Sequence, residues 1–245
     1  MIEQLSRKGR GPGEYQMPLF ITQIEGDKIA FSEPSSMDIT VLDADGKHVR
    51  TIYHEYGGGA KFIYSDEKIY VQGKNNGYQV HILDEEGNHI RDMIPFKEGY
   101  EERAKSFNGG GIVNISNTYY AMNSLEPVIY TFKDGEETAN EITPPEWEKF
   151  TYNFDLEYLN NNSPRELGDE NNLIIFTNLH KMQIGNEPYL AVSGNSTERI
   201  LYLFTQDLDL KYIYKPEMSI IGIHNNQIFE MDRDAIEAAV YIVSF

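Results

Sequence analysis

The chain has 245 residues and no cysteine, and its 39 acidic against 21 basic side chains leave a formal charge of −18. That sign repels a phosphate backbone or an anionic membrane face, so no nucleic-acid partner is expected; no apolar run approaches the ~18 to 20 residues that span a bilayer. The missing cysteines remove disulfides, thiol nucleophiles and thiolate zinc sites, while 40% hydrophobic and 24% charged residues suit a globular domain with a sizeable core.

In chain order, Met1-Ile-Glu-Gln-Leu5 lacks a basic stretch followed by an apolar one, so no signal peptide is expected at this start. Ile2–Arg7 reads as a lone strand. The stretch after it, Ser6-Arg-Lys-Gly-Arg-Gly-Pro-Gly-Glu-Tyr15, reads as a turn. Pro12 fixes its own φ and pushes Gly11 out of the helical region, and Gly13 accepts the positive φ that a type II Pro-Gly turn demands. No helix follows Gly9-x-Gly11-x-Gly13, which favours the turn over a phosphate cradle at a helix N-terminus.

From residue 20 a four-strand unit recurs. First strands are expected at Phe20–Ile24, Phe62–Tyr64, Ile112–Ile115, Leu173–Phe176 and Ser219–Ile223. Second strands follow at Lys28–Phe31, Lys68–Val71, Thr118–Ala121, Pro188–Val192 and Gln227–Glu230. Third strands follow at Ile39–Asp43, Val80–Asp84, Val128–Phe132, Ile200–Phe204 and Val240–Ser244, all rich in branched and aromatic residues. Four units then show a turn, Asp45-Gly-Lys, Glu86-Gly-Asn, Asp134-Gly-Glu or Asp209-Leu-Lys, before a fourth strand at His48–Ile52, His89–Met93, Ala139–Ile142 or Tyr212–Tyr214. Asp-Gly between alternating runs signals a hairpin, because glycine accepts positive φ and aspartate bonds its own backbone.

Gly46 and Gly87 are 41 residues apart and Gly87 and Gly135 are 48 apart. Four strands at a period of roughly 40 to 50 residues predict an all-β fold, a β-propeller of four-stranded antiparallel blades. Five units are visible, near 19–54, 60–95, 109–143, 171–215 and 218–245, within a single domain spanning 1–245 with an insertion at 144–170. The last unit lacks a fourth strand, which Ile2–Arg7 (near 2–8) would supply, closing the ring and removing exposed edges. Only 98–108 and 144–170 are long enough to hold helical turns between strands.

Gly9-Arg-Gly-Pro-Gly-Glu-Tyr15, then Lys68-Ile-Tyr-Val71 and Ile39-Thr-Val-Leu-Asp-Ala-Asp-Gly46 as repeat patterns, resemble the bacterial six-bladed TolB-like or NHL-like β-propellers. The resemblance covers most of the chain except 144–170. It implies a cell-envelope or periplasmic protein of lipoprotein type. That family has six blades, so the five units either close as five or lack one blade and an export signal from their start.

No His-Glu-x-x-His, Gly-x-Ser-x-Gly or P-loop occurs, and the six histidines (48, 54, 81, 89, 180 and 224) show no spacing of shared metal ligands. Asp43-Ala-Asp45-Gly46 lacks the later ligands of a calcium loop and reads as a hairpin. No catalytic residue, metal ligand or cofactor is therefore assigned. The insertion carries Trp147, the chain's one tryptophan, among other aromatics, which would either stack on a sugar or apolar partner or anchor the segment to a blade.

A ligand site is expected where fourth-to-first and second-to-third strand connections gather on one face. The candidates there are Arg10, Glu14 and Tyr15; Glu33, Tyr56, Asn76 and Tyr78; and Arg103, Asn123, Trp147, Arg199 and Arg233. The function expected is non-catalytic binding of a protein, peptide or glycan in the cell envelope. The alternatives are a metal-dependent, lactonase-like propeller hydrolase or lyase with a cation in the channel, and a pure scaffold.

Overall fold

A computed structural model describes residues 20–24, 26–33, 36–57, 60–73, 76–97, 110–124, 126–150, 175–195, 199–232 and 239–244. Its strands form separate antiparallel sheets, each ordered as the chain runs. By contact density the chain divides into two compact units, Met1–Lys97 and Glu98–Phe245.

The first unit holds two four-stranded sheets. One is β1 (Phe20–Ile24), β2 (Lys28–Ser32), β3 (Asp38–Leu42) and β4 (His48–Tyr53); the other is β5 (Lys61–Ser65), β6 (Lys68–Gln72), β7 (Tyr78–Asp84) and β8 (His89–Pro95). Ile24, Ala30, Ile39, Val41 and Ile52 of the first sheet share a core with Phe62, Ile69, Val71 and Leu83 of the second. Each fully buried isoleucine, valine or leucine side chain among these contributes ~1.5–3 kcal/mol relative to exposure.

The second unit holds three sheets. The first is β9 (Gly110–Ile115), β10 (Thr118–Asn123), β11 (Ile129–Lys133) and β12 (Asn140–Ile142); the next is β13 (Ile175–Ile184), β14 (Glu187–Asn195), β15 (Arg199–Phe204) and β16 (Leu210–Tyr214). The last shows three strands, β17 (Ser219–His224), β18 (Gln227–Asp232) and β19 (Ala239–Ser244). The middle sheet is covered on both faces. Leu190, Val192, Tyr202 and Phe204 pack toward Ile115, Tyr120 and Met122, while Tyr189, Ala191, Leu201 and Leu203 pack toward Ile228. A strand buried on both faces has no polar face to show, which is why Tyr189-Leu-Ala-Val192 and Leu201-Tyr-Leu-Phe204 read as unbroken apolar runs.

Hairpins between third and fourth strands repeat the same geometry. Asp43 Oδ1 accepts from the Asp45 and Lys47 amides at 3.0 and 2.8 Å, and Asp84 Oδ1 from the Glu86 and Asn88 amides at 3.0 and 2.7 Å. Gly46 and Gly87 take φ of 76° and 92°. The glycine assignment holds, but the bonding aspartate lies three residues before the glycine, where its carboxylate reaches forward over the turn.

Two sequence expectations shift in the middle sheet. Its turn is Thr205–Asp209 instead of Asp209-Leu-Lys: Thr205 replaces the aspartate, accepting from the Asp209 amide at 3.2 Å, and Leu208 replaces the glycine at φ 63°. Leu208 is buried in the core, and that burial offsets a left-handed conformation costing ~1–2 kcal/mol. The first strand, expected to end at Phe176, runs on to Ile184 and pairs with β14 down to Glu187. Asn178, His180, Lys181 and Gln183 interrupt the apolar run that marked it. In the 144–170 connection, Pro145–Phe150 forms a 3-10 turn. The strand Ile2–Arg7, the glycine-proline turn and segment 98–108 lie outside the described residues.

Candidate functional site

In the unit Glu98–Phe245 two first strands are bulged, β13 at Phe176/Asn178 and β17 at Ile220/Gly222. A bulge leaves a residue without a ladder partner and re-aims neighbouring side chains. Beside these bulges opens a pocket of about 170 Å³ lined by Thr177, Asn178, Ser193, Gly194, Arg199, Ile200, Pro216, Ser219 and Ile220. At ~30 Å³ per liquid water the space holds five or six waters, below the ~300 Å³ lower bound for drug-sized ligands. It fits one functional group.

The lining is polar and partly locked. Thr177 Oγ1 lies 2.9 Å from Ser193 Oγ and donates to the Ser193 carbonyl at 3.2 Å, while Ser193 Oγ reaches the Asn178 carbonyl at 3.4 Å. Arg199 donates from Nη1 to the Glu217 carbonyl at 3.0 Å, tying its guanidinium to the β16–β17 connection. Among the described residues Arg199 has no ion-pair partner and the Ser219 hydroxyl no hydrogen-bond partner. No carboxylate appears among the described lining residues.

The unit Met1–Lys97 gathers a second cluster, built from rings. Tyr56 stacks on His81 at 3.8 Å and 12°, and His54 stacks on Tyr56 at 6.0 Å. His81 and Asp92 sit opposite each other on β7 and β8, and His81 Nδ1 donates to Asp92 Oδ1 at 2.6 Å; His89 Nε2 meets the same oxygen at 2.9 Å. That bond leaves the His81 Nε2 lone pair facing inward, buried and without a described partner. His54 Nδ1 accepts from the Tyr56 amide at 3.2 Å, so its Nε2 carries the proton and is likewise buried without a described partner.

Burial pushes both imidazoles below their ordinary range, with the Asp92 hydrogen bond offsetting part of the fall at His81 and Asp38 part of it at His54. Burial raises Asp92, but the bonds from His81 and His89 outweigh it and hold its carboxyl low. Burial, with Asp92 and Glu55 nearby, pushes Tyr56 up to about 12. Gly73 closes the stack: a Cβ there would stand 2.5 Å from His81 Cδ2 and 2.6 Å from Tyr56 Cβ.

Of the sequence candidates, Arg199 lines the pocket, at the corner and connection where a site was expected. Tyr56 is 3% exposed within the ring stack. Glu33 is half-buried, accepting from the Ser36 amide at 3.3 Å; Asn76 is an exposed turn residue at φ 59° beside half-buried Tyr78. Asn123 is buried and accepts from the Glu126 amide at 2.9 Å, while Tyr130 donates to Glu126 Oε2 at 2.7 Å. Trp147 is fully buried, edge-on to Tyr202 and Phe204 at 5.6 and 5.2 Å. Its ring anchors the insertion to the blade, the packing alternative of the two. Arg10, Glu14, Tyr15, Arg103 and Arg233 lie outside the described residues.

Sequence reasoning missed Thr177, Ser193 and Ser219, whose small hydroxyls carry no motif, and the His81–Asp92–His89 cluster. The latter depends on a bulge: an unbroken ladder from the Gly87 turn would set Arg91 opposite His81, and the register shift at Ile82/Leu83 brings Asp92 there instead.

No protein-family model and no curated protein matches the chain. Among solved structures it is similar to a protein described as exported from Bacteroides fragilis NCTC 9343, with TM-score 0.59 and 13% identity over 94% of this chain and 70% of that one. A streptogramin B lyase matches with TM-score 0.53 and 14% identity over 91% and 68%. Hydrazine synthase from Kuenenia stuttgartiensis matches with TM-score 0.57 and 11% identity over 95% of this chain and 63% of that one. Identities this low with such different roles establish the architecture alone: an all-β propeller arrangement, to which this chain contributes five antiparallel sheets.

Proposed function

We propose that this protein is a non-catalytic binding propeller of the bacterial cell envelope, TolB-like or NHL-like, with residues 1–245 forming one domain that presents a polar pocket to a peptide, glycan or protein. The observation that carries the proposal is the pocket itself: a preformed cavity between two bulged strands, with an arginine that has no ion-pair partner and a serine hydroxyl that has no hydrogen-bond partner among the described residues. Its size suits recognition of one group on a larger partner. The likeness to a protein described as exported supports the envelope address.

The test is direct binding of the purified chain to peptide and glycan arrays, repeated with Arg199→Gln. A partner bound by the parent and lost by the variant, with no turnover of that partner, is the expected result. Arrays on which both proteins give the same signal would remove the pocket from the account.

A second reading, a propeller hydrolase or lyase, draws support from the His81–Asp92 pair, the arrangement of an oriented base, and from the likeness to a lyase. Its metal-dependent form predicts stoichiometric metal in the purified protein and esterase or lactonase turnover that chelation abolishes. Among the described residues, no group of three or more His, Asp or Glu side chains is placed to hold a metal ion.

A further inference from the structure

We infer that the pocket beside β13 and β17 recognises a single carboxylate, with Arg199 as the residue that sets this specificity. The inference rests on the pocket reading above and names its ligand chemistry.

The charge of the lining is the first step. A chain with 39 acidic residues surrounds a cavity whose described lining contains one cation and no carboxylate. At physiological salt the Debye length is ~8 Å, so exposed charges farther away are largely screened. Arg199 is the charged side chain of the lining, and the buried Glu230 opposite Ile220 has its carboxylate engaged by the Tyr214 hydroxyl and the Met218 amide. A neutral polyol would be served as well by a lining without it, and a cationic ligand would be repelled.

Donor geometry is the second step. A guanidinium presents five N–H groups in a planar fork, and the described structure commits Nη1 to the Glu217 carbonyl. That bond holds the group in place while leaving other donors for a bidentate pair with a carboxylate. Ser219 adds a hydroxyl from β17, the first strand of the following sheet. The Thr177–Ser193 hydroxyls are engaged with each other and with backbone carbonyls, so they shape the cavity and do not compete for the anion.

The count of cations is the third step. A phosphate dianion calls for more positive charge than one arginine supplies, in a chain whose overall field is negative. One guanidinium and one hydroxyl match one monovalent carboxylate. Such a group terminates a peptide, decorates an acidic sugar or belongs to a free small acid; the cavity admits the shared chemistry, and the probes below separate the sources.

The experiment follows amide resonances of Gly194, Ser219 and Ile220 in isotopically labelled full-length protein during titration with acetate, triglycine, triglycine amide, glucuronate, inorganic phosphate and glycerol. Acetate, triglycine and glucuronate should shift these resonances, with the tighter of the last two identifying the source. Triglycine amide and glycerol should leave them unmoved, and phosphate should bind more weakly than acetate. Arg199→Gln should weaken carboxylate binding about tenfold or more, the loss expected for a charge-assisted hydrogen bond, while Arg199→Lys restores part of it. Equal shifts from glycerol and acetate, unchanged in Arg199→Gln, would overturn carboxylate recognition and leave a general polar pocket. Silence from every probe at millimolar concentration would overturn the carboxylate assignment too; retained array binding that still depends on Arg199 would show that the broader proposal survives it.

Discussion

The ring stack of Met1–Lys97 and the pocket of Glu98–Phe245 draw on comparable parts of the repeat. Each uses the corner between a second and a third strand, Gly73 to His81 in one and Ser193 to Arg199 in the other, and a connection leaving a fourth strand, His54–Tyr56 in one and Pro216 in the other. In the first, two imidazoles and a phenol ring fill the corner, and a backbone glycine seals it. In the second, two bulges spread the strands and the residues are mostly small, so space remains. The backbone repeat fixes where such corners fall; side-chain volume decides whether a corner is packing or a site. Removing a large group from a closed corner should therefore cost stability, whereas altering the open one should cost binding.

The largest effect should come from Trp147, which the sequence offers either as a binding ring or as an anchor of the insertion. Trp147→Ala removes a fully buried indole from a core that includes Tyr202 and Phe204, for which large-to-small replacement costs ~3–5 kcal/mol. Urea denaturation should show the midpoint falling by that equivalent. A variant that melts like the parent would return Trp147 to the list of ligand residues.

Next comes the seal of the ring stack. Gly73→Ala sets a methyl 2.5 Å from His81 Cδ2 and 2.6 Å from Tyr56 Cβ, so the stack must move; overpacking of this kind costs ~1–3 kcal/mol. Thermal melts measure the loss, and near-ultraviolet dichroism should report the displaced tyrosine. No change in either would mean that the corner has slack and that the contrast with the pocket is overstated.

The blade repeat was legible because its chemistry is local. Asp43 and Gly46, and Asp84 and Gly87, each announce a hairpin within a few residues, and the core strands show their burial as apolar runs. Where the local cue was replaced, prediction slipped. Leu208 holds a positive φ by being buried, and burial is a tertiary fact that no turn signal encodes. The long strand β13 was shortened because Asn178, His180 and Lys181 broke its apolar run. The pocket was legible only as a place, through Arg199. Its cavity depends on two bulges, and a bulge is a count of residues against a partner strand, invisible until the register is known.

A smaller effect than that of Gly73→Ala is expected on acidification. His54 and His81 are neutral and buried, with folded-state affinities for protons below the ordinary histidine value near 6.5, so the unfolded chain binds more protons in that region. Stability should fall as pH drops below about 6.5 through the folded values. Asp92, held low chiefly by its two histidine bonds against the effect of burial, contributes stability that persists until pH falls below the ordinary carboxylate value near 4. Imidazole proton resonances should show His54 and His81 titrating below the ordinary histidine value, with the melting temperature declining over the same range. Titration of both at or above 6.5 would contradict a closed stack. His54→Gln should flatten its share of the slope.

The smallest expected effect on folding belongs to Arg199, and it is the sharpest division between the two corners. Its guanidinium is exposed and its described bond is to one carbonyl, so Arg199→Gln should change stability by no more than ~0.5 kcal/mol, as surface substitutions generally do. Denaturation and ligand titration on the same preparation make the comparison. Binding lost with folding intact is what an open corner with a dedicated side chain predicts. A destabilisation approaching that of Gly73→Ala would instead show the guanidinium bracing the β16–β17 connection, and the two corners would then differ in residue type without differing in kind.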